Sequence, residues 1–90
     1  MRSNQDPALL QAFAAEIKAR RSASGVSQEG LAFASGVNRT FIAKLELGQT
    51  SPSLTTIFRV AEGLEVQPDE LIQSTMKRYK KELRTRAKPE

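Results

Sequence analysis

The chain contains no cysteine and no histidine. Disulfides, thiolate nucleophiles, Cys/His zinc sites and an imidazole base poised near neutral pH are therefore excluded. Aromatic residues make up only 6% of it. What remains for acid-base work is a scatter of carboxylates and lysines with no cluster, so neither an enzyme nor a resident cofactor or metal is expected. Long apolar runs are missing too: none approaches the roughly 18 residues of a membrane span, and no signal-peptide core follows the start. A soluble cytoplasmic protein with no membrane partner is the expectation.

What is present fits one small domain. Ninety residues with 39% hydrophobic content can bury a modest core, which a partner subunit can extend. The net charge of +4 is unevenly spread. From Lys77 to Lys88, seven basic residues (Lys77, Arg78, Lys80, Lys81, Arg84, Arg86, Lys88) stand against one acid, Glu82, while the remainder carries seven basic and nine acidic residues. Overall basicity thus belongs to the C-terminal segment, and any nucleic-acid face in the core must be judged locally.

The punctuation of the chain predicts five helices and no strand. Asp6 and Pro7 start the first, which runs through Leu10, Phe13 and Ile17 and ends before Gly25. Ser27 caps the second, Asn38 the third and Ser53 the fourth, while Pro68, Asp69 and Glu70 open the fifth with acids at its positive end. The expected division is a five-helix domain over 1–76 and a basic segment over 77–90, either an extension of the fifth helix or a tail. Gly30 and Gly63 are each expected to cost about 0.5 to 1 kcal/mol relative to Ala.

Residues 28 to 45 carry the main signal. Leu31 points inward, and Ala32 lies where two helices crossing at roughly 90 to 120° leave room for little more than a methyl group. Gly36 falls where the chain must reverse, Val37 re-enters the core, and Ile42 and Leu45 share the inner face of the following helix. Its opposite face carries Arg39, Thr40, Ala43 and Lys44. This is the pattern of a helix-turn-helix, which lays its second helix in the DNA major groove.

The pattern resembles the Xre family, the helix-turn-helix domains similar to phage lambda repressor and Cro. It extends from about Arg21 through Leu71, in Ser27-Gln28-Glu29, Leu31-Ala32, Ser35-Gly36-Val37-Asn38, Ile42, Leu45-Glu46, Gly48, Pro52-Ser53-Leu54, Leu64, Val66 and Leu71. The resemblance implies an all-α, compact five-helix, lambda-repressor-like fold. It also implies a sequence-specific regulator of transcription in a prokaryote or phage, repressor or autoregulator, binding a double-stranded operator.

Residue by residue, the resemblance makes Arg39, Thr40, Ala43 and Lys44 candidates for base contacts: Arg39 bidentate to guanine, Thr40 by hydroxyl or methyl, Ala43 beside a thymine methyl, Lys44 on guanine or on a phosphate. Gln28, Asn38, Thr50, Ser51 and Ser53 are candidates for phosphate contact or positioning. Glu46 matches a glutamate that pairs with a basic residue, here Arg21, with a phosphate contact by Arg21 as the alternative. Glu65 stands where the family commonly places the glycine that ends the fourth helix, so a strained or reshaped cap is expected there. The small size and the run Arg39-Thr40-Phe41-Ile42 fit the restriction-modification controller subgroup.

Beyond the motif, Ile72, Met76, Tyr79 and Leu83 form an apolar seam if the fifth helix continues into the basic segment. The expected partner of that seam is a second copy, giving a homodimer on an inverted repeat; the alternative is that Ile72 completes the monomer core and the rest is a charged tail. The basic run either attracts phosphates or merely solubilises. A competing reading of the chain is a protein-interaction module, such as an antitoxin that binds and neutralises a partner protein.

Overall fold

A computed structural model of the chain describes residues 5–87. Lys88 of the basic run and the outer ends of the two expected segments, 1–4 and 88–90, lie outside the described residues. Five helices follow one another: α1 (Pro7–Ala23), α2 (Gln28–Ser35), α3 (Arg39–Glu46), α4 (Leu54–Gly63) and α5 (Pro68–Ala87). No strand occurs among the described residues. α5 continues unbroken through the basic segment to Ala87.

Each of the first four helices starts on a short polar side chain that accepts the N–H three residues on. Asp6 Oδ1 takes Leu9 N at 3.2 Å, Ser27 Oγ takes Gly30 N at 2.9 Å, Asn38 Oδ1 takes Phe41 N at 3.0 Å, and Ser53 Oγ takes Thr56 N at 3.1 Å. The same four helices also end alike. After each, one residue in the left-handed region lets a later amide reach back to the last turn: Val26 to Arg21, Val37 to Ala32, Gln49 to Lys44 and Val66 to Ala61, all at 3.0 to 3.1 Å. Glycine holds that position in three of them, Gly36 with φ 70° at the turn between α2 and α3, but the fourth is Glu65, with φ 58°.

The core is formed by Phe13 and Ile17 of α1, Leu31 and Ala32 of α2, Ile42 and Leu45 of α3, Val60 and Ala61 of α4 and Leu71 of α5. Val26, Val37 and Val66, each just past a helix reversal, pack against it. Gly63 does not behave as its helix propensity suggests. A Cβ there would collide with Ser35 Oγ and stand 3.2 Å from Ser35 N, so the glycine permits α4 to approach the end of α2. The expected penalty for glycine is replaced by a packing requirement.

α5 is fastened to α1 by polar contacts. The buried Glu16 carboxylate accepts Arg20 Nε at 2.5 Å and Arg78 Nε at 2.7 Å, and Arg20 Nη2 donates to Ser74 Oγ at 3.0 Å. Further along, the Tyr79 hydroxyl donates to Asp6. Tyr79 therefore reaches its own α1, whereas Ile72, Met76 and Leu83 remain exposed.

Candidate nucleic-acid interface

The geometry of α3 follows from its two faces. Ile42 and Leu45 are 0% and 1% exposed, with Phe41 half-buried beside them, which clamps one side of the helix to the core. On the other side Asn38, Arg39, Thr40 and Lys44 are exposed and Ala43 is half-exposed. Neither Arg39 nor Lys44 makes an ion pair among the described residues. The four α3 candidates for base contact thus lie together on one open face. Asn38 is committed to capping through its side-chain oxygen.

Behind that face three elements meet at Glu46. Arg21 Nε and Nη2 donate to its two carboxylate oxygens at 2.6 and 3.0 Å, Arg21 Nη1 donates to Val26 O at 2.9 Å, and Gln28 Nε2 donates to Glu46 Oε1 at 3.0 Å. Burial drives the Glu46 carboxyl upward; hydrogen bonds from Arg21 and Gln28, with the attraction of the guanidinium, outweigh it and hold the group below its ordinary 4.5. The Glu46 hydrogen bond correspondingly raises the Arg21 pKa, against burial. A two-pronged charge-assisted contact of this kind fixes direction as well as distance. It ties the end of α1, the start of α2 and the end of α3, and so sets how α3 projects.

The phosphate-contact candidates are placed differently from one another. The Gln28 amide is engaged with Glu46, so what α2 offers an anion is chiefly the open N–H groups of its first turn. Ser53 Oγ accepts Thr56 N and lies 3.0 Å from Thr56 Oγ1, which commits it to α4. Thr50 is half-buried and Ser51 exposed in the loop between α3 and α4. Of the seam, Tyr79 is tied to Asp6, apart from the outward Ile72, Met76 and Leu83.

Two features escaped the sequence reading. Arg59, on α4, brings Nη1 to 3.7 Å from where a Cβ on Gly36 would lie, placing an exposed cation beside the turn. Leu54 and Phe58 face outward from α4. The apolar arc of α4 (Leu54, Ile57, Phe58, Val60, Ala61, Leu64) is wider than one buried stripe needs, which was the available signal.

With a capped helix pair, a glycine turn and an outward polar helix face in place, the class of the molecule is defined. The chain belongs to the helix-turn-helix family (HTH_3), whose model matches residues 17–71. Among known proteins it is similar to control protein C.BamHI of Bacillus amyloliquefaciens, at 41% identity over 56 residues, 62% of this chain and 69% of that protein. The fold is similar to the restriction-modification controller protein C.AhdI from Aeromonas hydrophila, with TM-score 0.67, 40% identity, and coverage of 69% of this chain and 94% of that one. It also resembles the controller protein C.Esp1396I, solved as a tetramer with its natural 35 base-pair operator, with TM-score 0.74, 28% identity and coverage of 79% and 93%.

Proposed function

We propose that this protein is a sequence-specific DNA-binding regulator of transcription, of the restriction-modification controller type, acting in the cytoplasm of a prokaryote. α3 enters the major groove, Arg39 contacts guanine in bidentate fashion, Thr40 and Ala43 meet neighbouring base edges, and Lys44 neutralises a phosphate or reads guanine. The N–H groups opening α2, with Thr50 and Ser51, hold the backbone. The observation that carries this reading is the unpaired, exposed set Arg39, Thr40 and Lys44 on a helix whose other side is sealed into the core. The similarity to controller proteins supports it independently. No catalytic role is assigned to any residue.

The protein acts as a homodimer through the exposed apolar side of α5, which sets two recognition helices about 34 Å apart on an inverted repeat. Selection of bound sequences from random duplexes at stated salt, repeated with Arg39→Ala and Lys44→Ala, tests the site. Arg39→Ala is expected to cost roughly 1 to 3 kcal/mol and relax preference at one base pair. Uniform weakening at every position would instead make Arg39 a backbone contact.

A further inference from the structure

Leu47 closes α3 with helical dihedral angles, φ −96° and ψ −2°, so its side chain continues the azimuth of the helix. At about 100° per residue, seven residues carry it to within roughly 20° of Thr40 around the axis and roughly 10 Å further along it. Ala43 and Lys44 flank that azimuth one turn back, and the core-facing Ile42 and Leu45 lie on the opposite side. Leu47 is 57% exposed and takes no part in the core. A large apolar side chain therefore stands on the outward face of α3, one turn beyond the last of the four candidates for base contact.

A single exposed leucine needs no explanation by itself. Two observations set this one apart. Its backbone is held from another helix: Gln11 Nε2 of α1 donates to Leu47 O at 3.3 Å, one of the end carbonyls that α3 cannot satisfy internally. The next residue is Gly48, with φ 71°, where a Cβ would stand 2.5 Å from Gln11 Nε2 and 2.9 Å from its Cδ. Glycine there admits the Gln11 amide to the end of α3.

The second observation is continuity. Leu47 extends a surface on which Arg39 and Lys44 are exposed and make no ion pair among the described residues. A duplex drawn to those cations along α3 covers Leu47 as well. The apolar feature that base edges present in the major groove is the C5-methyl group of thymine.

We propose that Leu47 is a further specificity residue, whose side chain covers a thymine methyl at the far end of the α3 contact, and that Gln11 is the positioning residue that holds the Leu47 backbone for it. The inference rests on the reading of α3 as the groove-bound helix. It adds an apolar determinant roughly three base-pair steps from the base edge that Thr40 meets.

Deoxyuridine tests the contact, because in the major groove it keeps the O4 acceptor of thymine and lacks only the methyl. In the duplex selected by the wild-type protein, each thymine is replaced in turn by deoxyuridine and affinity is measured at fixed salt. One replacement, distinct from any that Ala43 senses, is expected to weaken wild-type binding about fourfold, as for one buried methyl-sized group. Leu47→Ala is expected to bind both duplexes alike at that position while keeping the preference set by Arg39. Gln11→Ala is expected to reduce the ratio below about twofold with its melting unchanged, an effect that a merely structural role would not produce. No thymine whose methyl matters, or a response in Leu47→Ala equal to that of the wild type, overturns the assignment and leaves the groove reading standing on Arg39. An undiminished ratio in Gln11→Ala overturns its positioning role. A wild-type protein that selects no sequence at all overturns the reading of α3 itself.

Discussion

Glu65 holds a left-handed conformation that glycine holds at the three equivalent reversals. For an L side chain that conformation costs about 1 to 2 kcal/mol, and the Glu65 side chain makes no hydrogen bond or ion pair among the described residues in return. Glu65→Gly is therefore expected to stabilise the fold by about 1 kcal/mol in urea unfolding; a loss of stability would mean that the left-handed conformation is not the costly feature of this reversal. Gly63 presents the opposite case. On an open helix, Gly63→Ala would gain up to about 1 kcal/mol, but here the new methyl collides with Ser35 Oγ, so destabilisation is expected. That hydroxyl is buried without a hydrogen-bond partner, so Ser35→Ala is expected to be neutral or mildly stabilising and to relieve part of the Gly63→Ala defect. Additive effects in the double-mutant cycle would exclude the clash.

At the level of elements, the fold is held in register by two buried carboxylates, Glu16 between α1 and α5 and Glu46 among α1, α2 and α3. Burial pushes Glu16 upward, but Arg78 and Arg20 outweigh it, and both carboxyls end below their ordinary 4.5. The unfolded chain binds protons at those groups first as the pH falls. Their contribution is present in full above 4.5 and is lost as the pH drops from there through the depressed native values. Glu16→Gln and Glu46→Gln are each expected to make the acid side of the stability profile shallower, and Glu46→Gln to cost about 3 kcal/mol at neutral pH by stranding Arg21. Equal acid sensitivity in wild type and both variants would place the responsible groups elsewhere. The helix starts were legible in the sequence because a cap is local: Asp6, Ser27, Asn38 and Ser53 each serve an amide three residues away. The turn at Gly36 was legible for the same reason. Gly63 against Ser35, Gln28 on Glu46 and Tyr79 on Asp6 were not, since each depends on a partner from another part of the chain.

For the molecule as a whole, charge and shape are divided between its ends. The described cations of α5 include Lys77, Lys80 and Lys81, none of them in an ion pair among the described residues, and they dominate the field of an otherwise nearly neutral chain. Replacing all three with Gln is expected to slow association with DNA at low salt, to matter little at high salt, and to leave base preference unchanged. Stopped-flow mixing at two ionic strengths checks this; a slowing that persists undiminished at high salt would point to direct contacts instead. α3, by contrast, is anchored through the buried Ile42, Leu45 and Glu46, with half-buried Phe41 beside them, and none of these lies on its outward polar face. Under the proposed role of α3, lineages descending from such a chain are free to acquire a new target vocabulary by exchanging a few outward letters, with the scaffold inherited intact.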